Sequence, residues 1–218
     1  MPQADSVVGL DLGITTLITQ SDGVKYENIK PLRNKKKKLE YAHRQLSKKK
    51  KGGSNKNKTR KKLAKIYEEI DNIKHDYLHK ITTKIIRENQ TIVIEDLAVI
   101  NMMKNHKLAK ALAEVSFGEI IRQLKYKADW NKRNLIVVNR FFPSTKMCSD
   151  CGWINQELTL KNREWICPNC EAEHDRDINA SINIRNSGLG INQTEYKQKL
   201  VEALPLGKST KQETQSAC

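Results

Sequence analysis

Four cysteines constrain this chain more than any other feature. Cys148, Cys151, Cys167 and Cys170 follow the pattern C-x2-C-x15-C-x2-C. Each C-x2-C pair presents two thiolates from one tight turn, and two such turns close a tetrahedron around zinc. The segment around them is therefore a small ribbon organised by one structural Zn²⁺, with Trp153 and Trp165 as packing residues inside it. A catalytic zinc is disfavoured, because four thiolates leave no open position for water. His174 could replace a ligand, but the four cysteines already suffice. The start of the chain, MPQADSVVGL, has no secretory pattern, and no apolar run approaches the roughly 20 residues of a bilayer span. The expected location is the cytosol without a membrane partner, where clustered cysteines bind metal more often than they pair.

Charge adds a second constraint. The chain carries a net +15, and the segment Arg33–Lys65 holds sixteen Lys/Arg against one acid, Glu40. Outside that segment basic and acidic residues balance, so all the excess sits in one stretch. Such concentration suits a polyanion, because phosphate neutralisation releases counterions. The plainer alternative is a solvated basic stretch. Lys35, Lys36, Lys37, Lys38, Arg44, Lys48, Lys49, Lys50, Lys51, Arg60, Lys61 and Lys62 are the candidate nucleic-acid contacts.

Periodicity places these features on elements. Val7, Val8 and Leu10 read as a buried strand, TTLIT as a second and VKYENI as a third, with the Asp-Gly turn of SDG between the last two. Leu39, Ala42 and Leu46 lie at helical spacing, and GGSN (52–55) interrupts them. Leu63, Ile66, Ile70, Ile73, Tyr77, Ile81 and Ile85 then mark an amphipathic helix of about seven turns. The pair predicts a helical hairpin with lysines at its tip. TIVIEDLAVI opens as a short apolar strand, KLAKALAEV is helical, and SFGE has the form of a capping box starting a helix through Trp130. LIVVNRFF reads as a further buried strand ended by Pro143. The alternation makes an α/β domain. Beyond Asn186 the chain is polar and aperiodic, a flexible tail with Cys218 as a lone thiol.

Three carboxylates sit where apolar strands end or a helix begins. Asp11 interrupts VVGLDLGI, Glu95 closes TIVIEDL, and Asp177 precedes INASINI. A carboxylate beside a hydrophobic strand is costly unless it is paired or binds a cation. Converging, the three could hold two Mg²⁺ about 4 Å apart, the arrangement that activates water in phosphodiester hydrolysis. Each also has a plainer use: Asp11 in a turn, Glu95 and Asp96 at a solvated strand end, Asp175 or Asp177 as a helix N-cap.

VVGLDLGITTLIT, the basic segment from KLEYAHRQLSKKKK to KIIREN, TIVIEDL, NRFFPSTKMCSDCG and HDRDINASINI together resemble the TnpB/OrfB insertion-sequence proteins. The resemblance runs over residues 7–187 and is to their RuvC-like nuclease half with its zinc ribbon. It implies an RNase H-like (RuvC-like) mixed sheet interrupted by a basic helical hairpin and by the ribbon. Residues 1–32 and 91–142 would be core, 33–90 the hairpin, 143–173 the ribbon, 174–187 the last catalytic helix and 188–218 a tail. It further implies an RNA-guided, Mg²⁺-dependent DNA endonuclease related to type V CRISPR effectors, with DNA and a guide RNA as partners. Asp11, Glu95 and Asp177 would be its catalytic, metal-holding carboxylates. The Asp-x-Asn-Ala pattern selects Asp177 over Asp175, with His174, Asp175 and Arg176 supporting and Asn179 near the helix start. Two departures stand out. Only six residues precede Val7, where the family carries a recognition region, so a shortened, catalytically idle nucleic-acid-binding remnant is the alternative. Glu171 and Ser181 replace a common Gly and Ala, and neither removes a ligand.

Overall fold

The computed structural model describes residues 6–159 and 161–191. The expected meander forms as β1 (Val7–Leu12), β2 (Thr16–Gln20) and β3 (Lys25–Glu27). Its last turn is closed by Gly23 at φ 90° and by the Asp22 carboxylate, which accepts from the Val24 amide at 3.1 Å. A short helix α1 (Pro31–Asn34) leads into α2 (Lys36–Ser47) and α3 (Ser54–Glu88), and the chain re-enters the sheet as β4 (Thr91–Glu95). Then come α4 (Val99–Met103), α5 (His106–Val115), α6 (Phe117–Trp130) and β5 (Asn134–Val138). The sheet order is β3-β2-β1-β4-β5, with β1, β4 and β5 parallel and the β1–β2 and β2–β3 pairs antiparallel. The α/β fold is what the sequence pattern forecast, and the mixed sheet is what the resemblance implied.

Alternation along the strands sorts their side chains onto two faces. Val8 and Leu10 of β1 and Ile92 and Ile94 of β4 join the large core with Leu78, Ile85, Ile120 and Leu124 of α3 and α6. Val7 and Val93 point to the other face, where Ile184 of the final helix α7 (Arg176–Gly188) packs beside Val138. That helix lies directly against β1. A Cβ on Gly9 would stand 2.1 Å from the Ser181 carbonyl oxygen and 2.7 Å from the Arg185 amide nitrogen, so only glycine allows the approach. The polar segment read as a tail begins inside this helix at Gly188; its residues from 192 on, Cys218 included, lie outside the described residues.

Helices α2 and α3 form the basic hairpin, closed by Leu39, Ala42, Leu63, Ile66 and Ile70, with Lys48–Lys51 exposed at its tip. At 35 residues α3 is longer than the apolar stripe announced, because the lysine-rich stretch after Gly53 is itself helical. Ile73 is a correction: it is exposed, lying where α3 leaves α2 behind and has not yet reached the sheet core. A second correction concerns SFGE. Ser116 does precede α6, but at φ 58° its side chain caps no amide; its Oγ instead accepts from Lys74 Nζ at 3.0 Å. The third is β5, which is the sheet edge rather than a buried strand: Val137 is exposed, and Phe141 beyond it is 86% exposed.

Candidate active site and metal centre

Asp11 and Glu95 sit one residue beyond the paired Leu10 and Ile94 on adjacent parallel strands. By the same alternation they share the face that carries α7. Asp177, in the first turn of α7, arrives at that face because α7 packs on β1. The electrostatics record the convergence. Burial first, then the Asp177 and Glu95 carboxylates, push Asp11 from its ordinary 3.8 up to about 7, with Arg176 pulling the other way. Burial also raises Glu95, against a hydrogen bond from Ser144 Oγ to Glu95 Oε2 at 3.3 Å. Asp177 is held by two arginines: Arg176 Nη2 donates to Oδ1 at 2.9 Å and Arg163 Nη1 to Oδ2 at 3.2 Å. The three sequence candidates thus share one sheet face, near enough for the Asp177 and Glu95 charges to act on Asp11, although their oxygens do not all lie within 4.8 Å of one another.

Asp175 has a different task. Its Oδ1 accepts from the amides of Asp177 and Ile178 at 3.1 and 3.0 Å, making it the N-cap of α7, and Oδ2 meets Lys25 Nζ at 2.7 Å. Burial lifts its carboxyl, but Lys25 and those two amides outweigh it and leave it below the usual carboxylate range. Asp175 Oδ1 is thus taken up in capping α7, while Asp177, in the turn so capped, has both oxygens on arginines and is the more buried of the two side chains.

The four cysteines form a second centre. Their sulfurs all lie within 4.8 Å of one another, with Cys148–Cys170 at 3.7 Å and Cys151–Cys167 at 3.6 Å. A tetrahedral Zn²⁺ with Zn–S bonds of about 2.3 Å needs sulfurs about 3.8 Å apart, so the donor set fits the ion. Burial pushes the Cys148 thiol well up, a cost that a bound dication offsets. His174 does not join this set; its Nε2 lies 3.0 Å from Cys148 Sγ and its ring leans on Trp165. Trp165 is buried in the module as expected, but Trp153 is a correction, since it is more than a third exposed. The hairpin β6 (Glu164–Ile166) and β7 (Glu173–Asp175) carries the chain from the cysteines straight into α7.

Polar side chains tie the two candidate centres together, and of those involved only Asn179 was named from the sequence. Asn183 Nδ2 donates to the Ser144 and Met147 carbonyls at 2.8 and 2.6 Å. Asn179 donates to the Met147 carbonyl at 2.7 Å and accepts from the Ser149 amide at 2.8 Å. Ser144 reaches Glu95, and Arg163, from the loop before β6, reaches Asp177. Short polar side chains on a buried helix face are the only sequence signal for these contacts. Asp96 pairs with Arg140, and its charge adds to the rise at neighbouring Glu95. Of the lysines proposed as contacts all but half-buried Lys35 are exposed; Lys35 and Lys38 share Glu69 at 2.8 and 3.2 Å, and Lys36 lies 3.7 Å from Glu40.

Two family models match stretches of the chain. Residues 1–106 match the OrfB_IS605 family model, described as a probable transposase, and residues 117–184 match the TNB domain of Cas12f1-like proteins. A Streptomyces pristinaespiralis protein named "Putative RNA-guided DNA endonuclease" is 45% identical over 188 residues, covering 86% of this chain and 46% of that protein. The chain is TnpB-like. The similarly named InsQ of Escherichia coli K12 is 33% identical over 201 residues, covering 85% of this chain and 50% of its own length. The TnpB-like chain thus spans about half the length of the curated relatives it matches. Its fold is that of a chain in a Cas12f1-sgRNA-target DNA complex, with a TM-score of 0.60 at 16% identity, covering 85% of this chain and 51% of that one. Among the described residues no helix is long and apolar enough to cross a membrane.

Proposed function

We propose that this chain is the RuvC-like nuclease part of a TnpB-like protein, hydrolysing DNA phosphodiester bonds with Asp11, Glu95 and Asp177 as the metal-holding carboxylates. The observation that carries the reading is the crowding at Asp11. Three acids from β1, β4 and α7 meet on one sheet face, and burial together with their mutual repulsion lifts Asp11 to about 7. A protein gains nothing in stability from such an arrangement, whereas a hard-oxygen donor set of this kind suits Mg²⁺. Bound there, two Mg²⁺ would supply an activated water and charge stabilisation for the leaving oxygen.

The chain's own residues have definite parts in this reading. Asp11 and Glu95 fix the floor of the site on rigid neighbouring strands. Asp177 completes it from α7, and Asp175 sets where that helix starts. Ser144 orients Glu95 by donating to its Oε2. Arg176, buried beside Asp177, holds the carboxylate in place, while Arg163, with a more exposed side chain, can exchange its carboxylate for a phosphate oxygen of the substrate. The four cysteines hold one structural Zn²⁺, and Asn179 and Asn183 transmit the ribbon's position to α7. The lysines of the α2–α3 hairpin grip backbone phosphates of DNA or of a guide RNA without reading sequence.

The test is cleavage of labelled DNA, single-stranded and plasmid, by the chain with its co-purified RNA, with and without Mg²⁺. Mg²⁺-dependent cutting, lost in Asp11→Ala and Glu95→Ala proteins of unchanged zinc content, is expected. DNA binding with no cutting on either substrate would leave only a nucleic-acid-binding protein and overturn the proposal.

A further inference from the structure

Away from the carboxylates and the cysteines, one more constellation has the makings of a site. His75 and His79 lie one turn apart on α3, and Glu119 faces them from the first turn of α6. Their ligand atoms all lie within 4.8 Å of one another, and the four cysteines are the other such group among the described residues. We propose that His75, His79 and Glu119 form a second transition-metal site, which takes a zinc-class divalent ion through two imidazoles and one carboxylate and leaves the fourth position to water.

The chemistry of the donors and the rigidity of their supports argue for it. Two histidines at i and i+4 share one helix face, and two imidazoles plus a carboxylate make a three-ligand set that zinc accepts. Tetrahedral bonds of about 2.1 Å require donors roughly 3.4 Å apart, so small rotations about the side-chain bonds bring the three into range. Beneath them lies a buried polar network that fixes both backbones. Lys127 Nζ donates to the His79 carbonyl at 3.0 Å and to Thr82 and Thr83 at 2.7 and 2.8 Å. Gln123 accepts from Thr82 at 2.9 Å and donates to Glu119 Oε1 at 2.8 Å, the kind of outer support that orients a ligating carboxylate. Burial and Lys127 also keep His79 below its ordinary range, favouring the neutral ring that binds metal.

Arg122 is the competitor. Its Nε and Nη2 each donate at 2.7 Å to the two oxygens of Glu119, so an ion must take one oxygen from it. The guanidinium is largely exposed and already lies 5.3 Å from the Tyr126 ring centre, a position it can adopt when displaced. Occupied, the site would pin the stem of the basic hairpin to a helix of the core and fix the direction in which the lysine tip points. That role is independent of the nuclease reading.

The experiment is zinc stoichiometry of the untagged chain after equilibration in zinc-buffered solution, measured by elemental analysis beside the thermal midpoint. Wild type is expected to hold one more zinc per chain than His75→Ala and His79→Ala, and to gain thermal stability with zinc that these variants do not gain. Arg122→Ala, relieved of the competitor, is expected to keep that zinc and bind it several-fold more tightly. Because the readout is a difference between variants that retain all four cysteines, it stands whether or not the ribbon is loaded. Equal zinc content in wild type and in folded His79→Ala protein would overturn the proposal, as would weaker binding in Arg122→Ala.

Discussion

Replacing Asp11 with Asn removes a crowded charge while keeping the side chain's shape. In the metal-free protein the carboxyl has its folded value raised from 3.8 to about 7, burial leading and the Asp177 and Glu95 carboxylates following. A raised folded value means that the group's contribution to stability is complete below the unfolded value. It is lost as pH rises toward the folded one. At about 1.4 kcal/mol per unit, the whole shift amounts to roughly 4 kcal/mol, of which roughly 2 to 3 kcal/mol is lost between pH 5 and pH 8. Asp11→Asn cannot titrate. Urea unfolding of both proteins without Mg²⁺ should therefore find the variant's advantage growing by roughly 2 kcal/mol or more from pH 5 to pH 8. Added Mg²⁺ at pH 8 should stabilise wild type and have far less effect on the variant. A pH-independent difference between the two would refute the crowding, and with it the strongest reason to place metal there.

Other outcomes follow from the same geometry. Gly9→Ala drives a Cβ into the backbone of α7, so a loss of at least about 3 kcal/mol is expected; its thermal midpoint should fall by about 6 °C or more, and a normal midpoint would mean that α7 does not lie on β1. Changing Lys48, Lys49, Lys50 and Lys51 together to Gln should leave the midpoint unchanged. The same change should lower the salt dependence of DNA binding by about 0.9 for each phosphate that is no longer neutralised. An unaltered salt slope would move the interface off the hairpin tip. Arg163→Ala frees Asp177 Oδ2 and should lower the Mg²⁺ concentration needed to stabilise the fold at pH 8, measured by melting; a higher requirement would contradict the pairing seen at 3.2 Å.

Asp11 and Glu95 stand out in the sequence because an acid in an otherwise apolar strand is conspicuous, and alternation along the paired strands puts both on one face. Preferring Asp177 rests on the Asp-x-Asn-Ala pattern of the resemblance; in the structure Asp175 caps α7 and pairs with Lys25, and Asp177 is held by Arg163 and Arg176. The cysteines could be read from spacing alone. Ser144, Arg163 and Asn183 could not, because they act across 14 to 49 residues of chain through contacts that only the packed ribbon and α7 create. Ile73 and Ser116 misled for a related reason: local periodicity and a local cap motif were overruled by where α3 changes partners and by the left-handed turn into α6. The His75–His79 pair carried a helical spacing but no partner in sequence, since Glu119 approaches from another helix.

The central claim rests on the division of labour between two aspartates only two residues apart. Its most direct measurement is the Mg²⁺-dependent DNA cleavage rate of Asp177→Ala beside that of Asp175→Ala, with zinc content and fold checked for both. No detectable cutting by Asp177→Ala is predicted. Asp175→Ala should retain cutting, at a stability cost of about 1 kcal/mol for the lost cap. Cleavage retained in Asp177→Ala, or lost only in Asp175→Ala, would contradict that division.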